Sequence, residues 1–160
     1  MRQTSGLTLV ELMVTISVFA ILLAIAVPGF QTLVQNTRAT TAANELVTAL
    51  HYARSEAVRR GGNVSVCPLD SDWADGWSVR VGTCNGSSDP LRIWDRLPAR
   101  VTIDSPSDSP MFGALGQNAG GGTIQFTYIA VQGCTGERAR ALQIGPAGHV
   151  GVQRVECKDG

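Results

Sequence analysis

After Glu11 the chain carries no charged residue until Arg38, and Leu12 to Phe30 forms one apolar run within that stretch. The run approaches the roughly 20 residues a helix needs to cross a bilayer. Pro28 lies near its far end, where a missing N–H and a ring clash predict a helix kink. Gly29 beside it adds a second weak point, so a bend or a locally melted turn is expected there. Beyond Pro28 the pattern becomes amphipathic. Ala39, Ala43, Leu46, Leu50, Ala53 and Ala57 recur at spacings of four and three, which makes one helical stripe. Arg38, Asn44, Glu45, Thr48, Arg54, Ser55 and Arg59 fall on the other faces. The alanines of the stripe are small enough for a sheet to approach the helix closely. Glu56 and Arg60 stand one turn apart and can pair before Gly61-Gly62 ends the helix.

From Gly61 onward the pattern changes to short segments rich in β-branched and aromatic residues. Candidate strands are Asn63–Cys67, Trp77–Val81, Leu91–Trp94, Arg100–Ile103, Thr123–Ile129, Ala139–Ile144 and Gly148–Glu156, separated by Gly, Pro, Asp and Ser clusters. Pro146-Ala147-Gly148 reads as a turn that makes the last two strands a C-terminal hairpin. Ser105 to Gly122 lacks periodicity and is rich in Gly, Ser and Pro, which predicts a long mobile loop. The expected fold is α+β, a long N-terminal α-helix packed on an antiparallel β-sheet head.

Charge and cysteines narrow the class. Lys+Arg and Asp+Glu number 13 each, so net charge gives no pull toward a polyanion. All four cysteines, Cys67, Cys84, Cys134 and Cys157, follow the apolar run. An even number confined to the exported part points to disulfides formed in an oxidising compartment. Three connectivities are open. Pairing of neighbours, Cys67 with Cys84 and Cys134 with Cys157, would close loops of modest length, each contributing ~3 kcal/mol.

Zinc is disfavoured, because there is no C-x-x-C and the two histidines, His51 and His149, lie far apart. Asp70, Asp72 and Asp75 before Gly76 resemble a calcium loop, but the third carboxylate comes one position late. Solvated turn carboxylates are the favoured reading. Asn63-Val64-Ser65 and Asn85-Gly86-Ser87 match glycosylation sequons, which are common by chance. No G-x-S-x-G, H-E-x-x-H or phosphate-loop motif is present, and Gly113 to Gly122 does not open a helix. The chain therefore reads as a non-enzyme with no catalytic residue, metal or cofactor.

Glu11 is the residue that needs a reason. A carboxylate in a membrane-length helix costs ~3 kcal/mol even on the gentler insertion scales, so it signals function and a partner. If the chain were cut after Gly6, Leu7 would gain a free amine one helical turn before Glu11. The helix start also favours negative charge. That amine would meet its own Glu11 or the Glu11 of a neighbouring copy, which would set an assembly register. An ordinary secretory signal competes, with Arg2 as its positive start, Leu12 to Leu23 as its core and Ala24-Ile25-Ala26 as its cleavage site. That alternative leaves Glu11 unexplained and discards a helix whose pattern runs on.

Gly6-Leu7-Thr8-Leu9-Val10-Glu11-Leu12 resembles the processing signature of type IV pilins and type II secretion pseudopilins. The resemblance implies a prepilin peptidase that cuts after Gly6 and methylates the amine of Leu7, with Glu11 serving filament assembly. The family usually begins its mature chain with Phe or Met, where this chain has the similarly apolar Leu7. Ala53-Arg54-Ser55-Glu56-Ala57, Cys67-Pro68, Asp75-Gly76-Trp77 and Arg140-Ala141-Leu142-Gln143-Ile144 before Pro146-Ala147-Gly148 are similar to minor pilins and pseudopilins of the GspH/FimT type. The expected organisation is a prepilin leader over 1–6, a transmembrane or filament-core helix over 7–30, its amphipathic second half over 31–60, and a β-rich head over 61–160. The resemblance implies a low-abundance tip subunit that primes or completes assembly of a type IV pilus, or alternatively an H-type pseudopilin. Its partners would be other minor and major pilins or pseudopilins. It would sit in the inner membrane with its head in the periplasm, and later in the filament.

Some members of that family bind DNA through a Gly-Arg-x-Arg motif in the C-terminal hairpin. The matching stretch here is Gly148-His149-Val150-Gly151, so both arginines are missing. Arg138, Arg140 and Arg154, with Lys158, stay as a substitute patch. The balanced charge favours solvated strand and loop residues over a DNA site, and DNA uptake is kept as the alternative function.

Overall fold

The structure, a computed structural model, describes residues 8–70, 72–105 and 109–158. Helix α1 spans Leu9–Arg60. Its residues belong to two compact units, 1–35 and 36–160. In the first unit the helix is apolar, with a mean hydropathy of 2.6 over its best window and none of that window buried. The backbone stays helical through Pro28 and Gly29 rather than melting into a turn.

In the second unit the helix supplies eight residues of the core cluster among the described residues. All six residues of the predicted stripe are buried, and Ala42 and Ala49 join them. The buried stripe is wider than predicted because two sheets cover it, not one. The first comprises β1 (Val64–Pro68), β2 (Trp77–Val81), β3 (Pro90–Trp94) and β5 (Met111–Phe112), in the order β3-β2-β1-β5. The second comprises β4 (Val101–Asp104), β6 (Ile124–Val131), β7 (Ala139–Ile144) and β8 (Val150–Val155), in the order β4-β6-β7-β8. All neighbours run antiparallel. Val64, Val66, Trp77, Val79 and Phe112 from one sheet and Val101, Ile129, Val131, Leu142 and Ile144 from the other meet the helix in a single cluster.

Two details aim side chains. Asp72 accepts a hydrogen bond from the backbone N–H of Ala74 at 2.8 Å and starts a one-turn 3-10 helix, Trp73–Asp75. Gly76 follows at φ 107, with the Trp94 carbonyl occupying the place a Cβ would need, so only glycine delivers Trp77 into the core there. The β6–β7 ladder carries a bulge at Thr127, a non-glycine residue at φ 83. Beyond it Tyr128 stands opposite Asp104 of β4, and its hydroxyl accepts from the backbone N–H of Lys158 at 2.5 Å.

The long loop expected over Ser105 to Gly122 is corrected over its described residues. Phe112 is fully buried, β5 pairs with Val64 and Ser65, and Phe112 bridges to Asn118. Asn118 is buried as well, its amide donating to the Gly122 carbonyl at 2.7 Å and its N–H to Pro146 O at 3.0 Å. A two-residue strand between Pro110 and Gly113 has no period to read. It exists because β1 offers an edge.

Candidate functional site

Gly6 and Leu7 lie outside the described residues. The first described residue, Thr8, caps α1: its Oγ1 accepts the Glu11 N–H at 3.2 Å, and its carbonyl accepts from Leu12 N at 3.1 Å. Thr8-Leu9-Val10-Glu11 is thus a capping-box spacing, a signal the sequence carried beside the processing motif. Glu11 is exposed in the first turn, where the helix dipole favours a negative charge. The Thr15 and Ser17 hydroxyls donate to Leu12 O and Met13 O, both at 2.8 Å. Their donors are therefore satisfied within the helix, as an apolar surrounding requires. Leu9, Val10, Met13, Phe19, Ile25 and Phe30 are all exposed. Such a surface needs a lipid or protein cover.

The C-terminal hairpin is tied to the helix by Arg54. Its Nε donates to Gly116 O at 2.8 Å and its Nη2 to Ala147 O at 3.1 Å. Sequence pattern had placed Arg54 only off the apolar stripe. Gly148, at φ 75, lies against the Gly116 carbonyl where a Cβ would collide, so the Pro146-Ala147-Gly148 turn closes only with glycine at its end. The turn bonds internally from Gly145 N to His149 O at 2.8 Å and from Gly148 N to Gly145 O at 2.9 Å. The His149 side chain is exposed, and the Gly151 Cβ position opens onto free space.

The three arginines kept as a disfavoured substitute DNA patch are not equally placed. Arg140 is 5 % exposed and points inward. Its Nη1 donates to Arg138 O and Ala139 O, both at 3.1 Å, and its Nη2 to Asn36 Oδ1 at 3.0 Å and Thr40 Oγ1 at 2.9 Å. Burial pulls its pKa below the ordinary arginine value, and the charge of Arg154 adds to the pull. Arg140 is therefore a core strut, which takes it out of the substitute patch that the alternative reading had allowed. Arg154 is exposed opposite it in the β7–β8 register, and Arg138 is half-buried with Nη1 on Thr135 Oγ1 at 3.2 Å.

Cys67 pairs with Cys84 and Cys134 with Cys157, which selects the neighbour pattern from the three open connectivities. Among the candidate calcium ligands, Asp72 is spent as a cap and Asp75 is bound to Arg96. No cluster of three or more metal-ligating side chains occurs among the described residues. Glu56 takes both Arg59, at 2.6 Å, and Arg60, at 2.8 Å, where sequence spacing had indicated Arg60 alone. Hydrogen bonds from Arg59 and then Arg60 hold its carboxyl down at about 2. A groove of about 530 Å³ runs over the outer face of β6, β7 and β8, lined by Tyr128, Gln143, Gln153, Glu156 and Lys158 among others. Its lining includes neither histidine nor cysteine.

Residues 42–148 match the family described as type II transport protein GspH, and residues 1–27 match the prokaryotic N-terminal methylation motif. The crystal structure of the type IV minor pilin FimU of Pseudomonas aeruginosa superimposes with a TM-score of 0.65 at 31% identity, over 73% of this chain and 89% of that one. A fimbrial protein of Pseudomonas aeruginosa is 29% identical over 121 residues, 72% of this chain and 78% of its own length. The minor pseudopilin EpsH of the Vibrio cholerae type 2 secretion system has the same fold, with a TM-score of 0.55 at 13% identity over 73% of this chain and 97% of that one.

Proposed function

Since the chain belongs to the type II transport protein GspH family, and is thus a minor pilin or pseudopilin, we propose that it serves a type IV pilus as a minor subunit at the filament tip. The observation that carries this choice is its 31% identity to a type IV minor pilin, against 13% to a secretion pseudopilin of the same fold. An H-type pseudopilin is the alternative within the family. The family is one of structural subunits, and the proposed role needs no catalytic centre.

The first turn of α1 supports the mechanism. A prepilin peptidase cuts after Gly6 and methylates the amine of Leu7. Before assembly the apolar helix holds the chain in the inner membrane as a single span, with the head in the periplasm. On assembly the same surface moves from lipid to the helices of other pilins, and Pro28 is the proposed site of bending. Thr8 keeps the first turn formed, so Glu11 stays fixed near the new amine. In an apolar filament core such a pair is strongly favoured over two separated charges. A subunit whose amine has no Glu11 partner would pay for an isolated charge, which makes the pair a register.

DNA uptake is not favoured. Arg140 is committed to Asn36 and Thr40, and the hairpin tip offers His149 and Gly151 in place of two arginines.

Deletion of the gene in its source organism separates the two systems. Fewer pili with normal protein secretion, restored by the intact gene, is the expected outcome. Normal piliation with defective secretion would make the chain a pseudopilin.

A further inference from the structure

One end of the head is basic although the chain as a whole is neutral. Arg38 of α1 donates to Ala99 O at 3.5 Å, which ties the helix to the β3–β4 loop. In that loop Arg100 O accepts from Gln132 N at 2.7 Å, which ties it to the β6–β7 loop carrying Arg138. Arg140 closes the circle on Asn36 and Thr40. Residues 36–40, 95–100 and 132–140 therefore hold Arg38, Arg96, Arg100, Arg138 and Arg140 against only two carboxylates, Asp95 and Glu137. Arg140 is buried and Arg96 is bound to Asp75. Arg154 and Glu156 at the end of β8 offset each other. Arg38 and Arg100 are exposed and Arg138 half-buried. Arg100 is held at φ 77, a region that side-chain-bearing residues rarely adopt.

Along the chain this collar lies close to the apolar run. Asn36, around which it forms, comes six residues after Phe30, the last residue of the apolar run. We propose that Arg38, Arg100 and Arg138 dock the head on anionic phospholipid headgroups while the chain is still anchored in the bilayer. The proposal rests on the membrane-anchored reading above. Phosphate-bearing lipid is the complement of three guanidinium groups that make no ion pair among the described residues, and each arginine near an anionic surface strengthens binding about fivefold. The docked head would be a holding state, released when the helix leaves lipid for the filament.

The test uses the full chain in nanodiscs of phosphatidylcholine alone or mixed with phosphatidylglycerol. Amide hydrogen exchange is followed in residues 95–101 and 132–138, with β7 as the control for an intact fold. Exchange in the two loops should slow roughly fivefold or more in the anionic discs at low salt. The difference should vanish at high salt and in the triple variant Arg38→Gln, Arg100→Gln, Arg138→Gln. Equal exchange in both disc types, with the chain inserted, overturns the proposal. Greater protection from duplex DNA added to the phosphatidylcholine discs also overturns it and assigns the collar to nucleic acid. Failure to insert into either disc would instead defeat the anchored reading and this proposal with it.

Discussion

Arg140 of β7 reaches across the core to Asn36 of α1, its Nη2 donating to Oδ1 at 3.0 Å. The bond joins the start of the compact head to its C-terminal hairpin, and Thr40 one turn later accepts from the same nitrogen at 2.9 Å. Arg140→Ala removes these bonds and leaves an underfilled cavity. Charge-assisted hydrogen bonds of this kind contribute ~2 kcal/mol each when buried. Denaturant unfolding of the full chain in detergent should show a loss of about 2–4 kcal/mol. Asn36→Ala should cost less, because the Arg138, Ala139 and Thr40 oxygens still receive the guanidinium. Equal losses in the two variants would contradict the strut.

Gly148 and Gly151 stand three residues apart in one hairpin and should respond oppositely. Gly148→Ala places a Cβ on the Gly116 carbonyl at φ 75 and should cost ~2 kcal/mol. Gly151→Arg enters open space and should change stability by less than ~0.5 kcal/mol. Combined with His149→Arg it should give the head measurable affinity for duplex DNA that fades with salt. The unaltered chain should bind weakly. Tight binding by the unaltered chain at physiological salt, lost on neutralising Arg138 and Arg154, would make DNA uptake the leading function.

The Glu56 carboxyl, held down at about 2 by Arg59 and Arg60, fixes an acid dependence. Between the ordinary carboxylate value near 4.5 and about 2, the unfolded chain binds the proton while the folded chain does not. Stability from this group is complete above that window and is lost as pH falls through it. Thermal melts of Glu56→Gln between pH 5 and pH 2 should therefore fall less steeply than those of the natural chain. Parallel curves would remove Glu56 from the acid response.

The Cys134–Cys157 bridge closes a separation of 23 residues and pins the tail, whose Cys157 N donates to Gly136 O at 2.9 Å. Replacing both cysteines by serine should lower stability by ~3 kcal/mol. Amide exchange at Lys158, bonded to the Tyr128 hydroxyl, should rise with it. Loss of the Cys67–Cys84 bridge, over 17 residues, should leave Lys158 exchange unchanged.

Intact-mass analysis of membrane-purified protein should find the mature chain starting at Leu7 with a methylated amine. A chain starting at Val27 would identify an ordinary secretory signal. Glu11→Ala should insert at least as well, since it sheds a carboxylate costing ~3 kcal/mol, yet enter filaments poorly. Pilus number and incorporation equal to the natural chain would remove the pairing role of Glu11.

Periodicity and spacing alone were enough for the features whose physics is local. The buried helix stripe is where every third or fourth apolar residue put it, and the bounds of β2 and β7 coincide with the segments read from their β-branched and aromatic content. The Glu56–Arg60 spacing was equally legible, because neighbours along a helix meet regardless of what surrounds it. The split into two sheets was not legible, since a strand carries no mark of which partner will pair with its edge. β5 is the clearest case, two residues made into a strand by Val64 and Ser65 of β1. Nor could sequence tell that Arg140 lies inside and Arg154 outside. Asn36 and Thr40 of α1 stand ready to satisfy the buried guanidinium of Arg140 on β7, and the side chain follows the hydrogen bonds that distant residues offer. Disulfide pairing and the Arg54 tie to the hairpin were decided the same way, by which atoms the closed fold brings within bonding distance.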